Sequence, residues 1–145
     1  KLKKKLPKYI FSFPINKDEI IRAILANKSN LKKIIKIVHL EIKKKINIFI
    51  KKNANKKIII LDIPLLLENK INNKKDVLVF VESKKSDVLK RLKKRTNFNK
   101  QLLNRFQNIQ LPLEYKKRKS HYIIKNNFTK KKIKRAVKDI LVEII

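Results

Sequence analysis

The chain has 145 residues, room for one domain of ordinary size, and a hydrophobic fraction of 43%, enough to bury a core. It contains no Cys, which excludes disulfides, thiolate metal sites and cysteine nucleophiles and makes a reducing, cytoplasmic setting the default. It also contains 0 Gly, which removes every glycine-rich phosphate loop from these residues, and its formal net charge of +30 points, taken alone, to nucleic acid or an anionic membrane surface.

Lys1 to Lys8 reads as a basic, frayed lead-in, since Pro7 and Pro14 prevent a single helix there. Asn16 is placed to cap a helix starting at Lys17, with Glu19 at its third position and Ile20, Ile21, Ile24 and Leu25 at helical spacing. Asn27 to Asn30 breaks that pattern. A longer helix follows, with Leu31, Ile34, Ile35, Val38, Ile42, Ile46 and Ile50 on one face and lysines on the other. After a polar turn at Asn53 to Lys57, the β-branched run Ile58 to Ile63 predicts a strand buried on both faces and ended by Pro64. Val77 to Val81 predicts a second buried strand. Ser83 or Ser86 is the expected cap of the next helix, which carries Val88, Leu89 and Leu92. A short strand at 121–124 and an amphipathic helix from about Thr129 to the end complete the chain. Helices alternating with parallel-type strands indicate an α/β fold of three layers. No apolar run reaches the ~18 residues of a membrane span.

Two constellations stand out. Leu61-Asp62-Ile63-Pro64-Leu65-Leu66-Leu67-Glu68 sets a carboxylate and a proline at the end of an expected strand, where open α/β sheets bind ligands. Capping of the following turn by Asp62 is the plainer use of the same residue. Arg91 and Arg95 are four apart, hence on one face of an expected helix, and Arg105 lies on the next helical segment. Arginine forks bind phosphate oxygens and offset charge on a transferring phosphoryl group. A solvated basic face is the competing reading in so lysine-rich a chain.

In order and spacing these pieces resemble the dephospho-CoA kinase family. Asp62-Ile63-Pro64-Leu65-Leu66-Leu67-Glu68 stands for its strand-end motif, Arg91 with Arg95 and then Arg105 with Gln110 for its arginine pattern. Lys116, Ile123-Ile124 and Asn126 take the places of its later Lys or Arg, short strand and Asn. Departures are Lys17 for Arg, Leu40 for Pro after His39, and Ser120-His121 for an Ala-Asp pair. The resemblance implies a P-loop kinase-type three-layer fold that moves the γ-phosphate of ATP, with Mg²⁺, to the 3′-hydroxyl of dephospho-CoA. It further implies a helical substrate part at 15–56, core at 57–90 and 114–145, and a lid at 91–113 that closes over the phosphates. His39, Asp62, Pro64, Leu65 and Glu68 become substrate-binding candidates, Arg91, Arg95 and Arg105 phosphate-stabilising ones, and Asn126 the adenine contact. The family's glycine loop and general base would fall before Lys1, so the chain is expected to be a fragment, inactive alone.

The competing class is a basic RNA- or ribosome-associated module with Tyr9, Phe11, Phe13 and Tyr115 as stacking residues. Against it, only six basic residues are Arg, and nucleic-acid readers favour Arg. Lys, Ile and Asn share A/T-rich codons, so coding bias explains the charge without a selected patch, and neither nucleic acid nor membrane is an expected partner.

Overall fold

The structure, a computed structural model, describes residues 1–145 and divides into two compact units. The first comprises Lys1–Ile71 and Asn99–Gln110, the second Asn72–Phe98 and Leu111–Ile145.

The first unit is helical. A short α1 (Leu2–Lys5) leads to α2 (Lys17–Ala26) and the long α3 (Lys28–Lys52), and α5 (Lys100–Gln107) returns to pack on α2. Asn16 caps α2 as its side chain predicts, its Oδ1 accepting from the Asp18 N–H at 2.9 Å. Asn27 does the same for α3 through Ser29 N–H at 2.8 Å. The helix therefore begins at Lys28, and Asn30 sits inside it, buried, with its Nδ2 donating to the Ala23 carbonyl at 2.9 Å. What the sequence presents as a break is a tight corner between two capped helices. The lead-in is likewise ordered and not frayed: Leu6 and Ile10 are buried with Ala23, Ile24, Leu31 and Ile34 in the core of this unit. Apolar burial outweighs the basic composition of the segment, since Leu6 and Ile10 have a helical face to pack on.

The second unit holds the sheet. Strands β1 (Val79–Glu82) and β2 (Tyr122–Lys125) pair in parallel, Val79 opposite Tyr122 and Glu82 opposite Lys125. Between them in the chain come α4 (Lys85–Lys93) and α6 (Leu113–Lys119), with α5 of the first unit intervening, and α7 (Lys130–Ile144) packs on β2. Parallel pairing needs a crossover of this kind. α4 is preceded by Lys84 with no side-chain cap, so neither Ser83 nor Ser86 serves there.

The strand expected over 58–63 is not formed. The sheet has two strands, β1 and β2, and the segment joins no ladder. Its side chains alternate between exposed and half-covered, Ile60 being 82% exposed, so only one face is covered. β-branched composition fits a strand, but the state requires a partner's N–H and C=O groups, which composition cannot supply. β1 is also half-covered, with Val79 and Val81 exposed, whereas its apolar run predicts burial on both faces.

Candidate functional site

In the first unit a cleft of about 560 Å³ opens between α3 and the turn that follows Pro64. His39, on α3, faces Leu65 and Glu68 of that turn across it. Lys32, Lys36, Lys43 and Lys70 add cationic groups to its walls. Helical spacing explains the α3 side: positions 32, 36, 39 and 43 recur every three or four residues and share a face. The Nδ1 of His39 is buried with no hydrogen-bond partner in the protein. A buried polar atom without a partner is costly, and beside a cleft it is a group a ligand can satisfy.

The turn is unusual. Leu65 and Lys70 adopt left-handed backbone, with φ of 57° and 49°. This region is disfavoured for residues with a Cβ, and in a chain with 0 Gly other residues must fill it. Asn69 fastens the turn by donating from Nδ2 to the Leu65 carbonyl at 2.9 Å. Asp62 and Pro64 are exposed and do not line the cleft. Of the five substrate-binding candidates, the structure thus gathers His39, Leu65 and Glu68.

The arginines divide between the units. Arg105, in the first, uses Nη2 to donate to the Leu25 carbonyl in the last turn of α2 at 3.3 Å, and its Nη1 is buried without a partner. It closes a helix end whose last carbonyls lack partners inside the helix. Arg91 and Arg95 belong to the second unit. They do not share a helix face, because α4 ends at Lys93 and Arg95 lies in the turn beyond. The wish for i, i+4 neighbours fails where the helix stops.

At the carboxyl ends of β1 and β2 the second unit builds a tight loop. The Asn126 N–H donates to the Glu82 carbonyl at 2.7 Å, carrying the ladder one step past β2. Asn126 Oδ1 then accepts from the Phe128 N–H at 2.8 Å, and Asn127 Oδ1 accepts from Thr129 Oγ1 at 2.7 Å. Phe128 takes a φ of 61°, and its ring lies 4.4 Å from the Arg91 guanidinium carbon. Glu82, at the end of β1, pairs with Lys117 of α6. That bond, with a second from Glu114, pushes the Lys117 ammonium above its usual range. At the other end of the sheet His121 Nδ1 accepts from the Leu78 N–H at 2.9 Å, a structural use of a residue of the Ser120-His121 departure. Phe128 escaped the sequence reading; the signal was an aromatic residue directly after two Asn in a chain without Gly.

No three or more His, Asp or Glu side chains gather in a way that could hold a metal ion. No helix is long and apolar enough to cross a membrane.

A family model described as dephospho-CoA kinase matches residues 13–132. A dephospho-CoA kinase from Wolbachia pipientis wMel is 31% identical over 140 residues, covering 95% of this chain and 71% of that protein. One from Fusobacterium nucleatum is 30% identical over 115 residues, covering 78% of this chain and 58% of its own length. Among solved structures, the crystal structure of TT1252 from Thermus thermophilus superposes with a TM-score of 0.71 at 19% identity, covering 99% of this chain and 75% of the other, and so shares its fold. None of these supports an RNA- or ribosome-binding module. Of its stacking candidates, Tyr9, Phe11 and Phe13 belong to the first unit and Tyr115 to the second.

Proposed function

Because the chain belongs to the dephospho-CoA kinase family, we propose that the cleft walled by His39, Leu65 and Glu68 holds dephospho-CoA and that the carboxyl end of the β1–β2 sheet receives ATP. The enzyme is an ATP-dependent phosphotransferase of coenzyme A synthesis, which moves the γ-phosphate of ATP to the ribose 3′-hydroxyl of its substrate. The observation that carries the site reading is the unpartnered His39 Nδ1 in a lysine-walled cleft. Dephospho-CoA offers hydroxyl and amide groups to the imidazole and a diphosphate to Lys32, Lys36, Lys43 and Lys70.

Phosphoryl transfer asks a protein chiefly to position groups and to offset charge on the oxygens that develop it. In this reading Arg91, Arg95 and Arg105 supply the offset from the lid segment 91–113, and Asn126 meets the adenine. Asp62 and Pro64 shape the entry to the turn without touching its cleft. The parts at 15–56, 57–90 and 114–145 act as substrate arm and core of a three-layer kinase fold. The gathered side chains do not form a dedicated Mg²⁺ site; such ions commonly enter with the nucleotide phosphates and keep most of their waters. No glycine loop lies among these residues, which contain 0 Gly, so their share of the chemistry is binding and charge compensation. A cytoplasmic location is part of the same reading.

Calorimetric titration of the protein with dephospho-CoA tests it. His39→Ala is expected to weaken binding by about two- to tenfold, the worth of one hydrogen bond. A dephospho-CoA affinity equal to that of the unaltered protein would remove His39 and its cleft from the substrate site.

A further inference from the structure

Arg91 stands exposed on α4, where a long flexible side chain loses conformational entropy if it is held in one place. Its guanidinium nonetheless lies over the Phe128 ring at 4.4 Å. The ring is brought there by a backbone that aromatic residues avoid, with φ at 61°, and the Asn126 side chain holds that backbone through the 2.8 Å bond to the Phe128 N–H. The same loop begins where the Asn126 N–H bonds the last carbonyl of β1, at the carboxyl end of the parallel pair. Ligands of parallel α/β sheets bind at that end.

We propose that Phe128 is a positioning residue for the nucleotide: it stacks beneath Arg91 and holds the guanidinium extended at the carboxyl end of the β1–β2 sheet, with its edge turned to a triphosphate. A stacked guanidinium keeps its five N–H donors in its own plane, clear of the ring, so the face is restrained while the edge stays available to phosphate oxygens. Fixing the side chain before binding removes the entropy that a free arginine loses when it docks. Asn126 then has two uses in this proposal, its Oδ1 shaping the loop and its Nδ2 serving the nucleotide. The inference rests on the assignment of Arg91 to the nucleotide.

ATP and dephospho-CoA titrated separately into the protein, at about 0.15 M salt to suppress non-specific attraction, separate the possibilities. Phe128→Leu removes the π face and keeps the bulk. It is expected to weaken ATP about two- to fivefold, the usual worth of an exposed cation–π contact, and to leave dephospho-CoA unchanged. Phe128→Tyr should retain ATP affinity. In an Arg91→Ala background, already weakened for ATP, Phe128→Leu should add nothing, because the effect runs through Arg91. If Phe128→Leu weakens both ligands alike, or still weakens ATP when Arg91 is gone, the ring supports the fold and the proposal fails. If Arg91→Ala weakens ATP but Phe128→Leu does not, the proposal fails while the assignment of Arg91 survives. If Arg91→Ala has no effect on ATP, both fail together.

Discussion

Leu65, Lys70 and Phe128 each occupy left-handed backbone in a chain with 0 Gly, and each lies in one of the two loops assigned to ligands. A residue with a Cβ sits there at a cost of about 1–2 kcal/mol, and such costs gather at functional sites. The three are not equivalent. Leu65 is half-buried against the cleft and Phe128 carries the Arg91 stack, so replacing either exchanges strain for lost contact. Lys70 is exposed. Lys70→Gly should therefore stabilise the protein by up to about 1 kcal/mol, after the larger unfolded-state freedom of Gly is deducted. Differential scanning calorimetry should show Tm rising by a few degrees; an unchanged or lower Tm would mean that the turn carries no strain at this position. Motif order in the sequence names His39, Leu65 and Glu68 as candidates, and all three line one cleft. It could not foresee that Asp62 faces solvent or that Arg105 closes the end of α2, since both depend on where the chain turns back on itself.

The elements read best were those whose signal is local. The Asn16 cap, the 3.6-residue stripes of α3 and α7, and the apolar runs of β1 and β2 all appear within a residue or two of expectation, apart from the earlier start of α3. Residues 58–63 failed because a strand exists only as half of a pair. The N-terminal segment failed for a related reason: what orders it lies elsewhere in sequence. Glu19, whose third position in α2 suggests a capping box, is 2% exposed and accepts instead from the Phe11 N–H at 3.1 Å and the Ser12 N–H at 3.3 Å. Burial pushes its carboxyl up, but the bonds from Ser12 and Phe11, helped by the Arg22 charge, more than offset this and leave it below the usual carboxylate range. A lowered folded-state value means that the unfolded chain takes up the proton first. The stabilisation is thus complete above the unfolded value of ~4.3 and is lost as pH falls through the lower folded one. Circular-dichroism melts between about pH 7 and pH 3 should show Glu19→Gln less stable at neutral pH and with a shallower acid limb. Parallel acid limbs for the two proteins would show that Glu19 does not hold the segment through its charge.

For the molecule as a whole, charge is the dominant unsatisfied term. There are 41 Lys and Arg against 11 Asp and Glu, so most cations have no acidic partner within the chain. The pairs that form are partly exposed, as with Lys1 and Glu41 or Lys117 and Glu114, and pairs of that kind contribute about 0–1 kcal/mol each. Self-repulsion is spread over the whole surface and acts against any compact state. Its reach is set by the Debye length, about 30 Å at 0.01 M salt and about 3 Å at 1 M. Sodium chloride should therefore raise Tm steadily between those limits, where a protein held by surface ion pairs would lose stability over the same range. A falling Tm would show that the few pairs outweigh the excess of lysine. The same excess attracts any polyanion, ATP included, and that attraction must fade with salt, whereas recognition by a shaped cleft keeps its differences between variants. The ratio of dephospho-CoA affinities between the unaltered protein and His39→Ala should hold from about 0.15 M to 0.5 M salt while both absolute affinities fall. If the ratio collapses toward one, the +30 charge and not the cleft is what gathers the substrate.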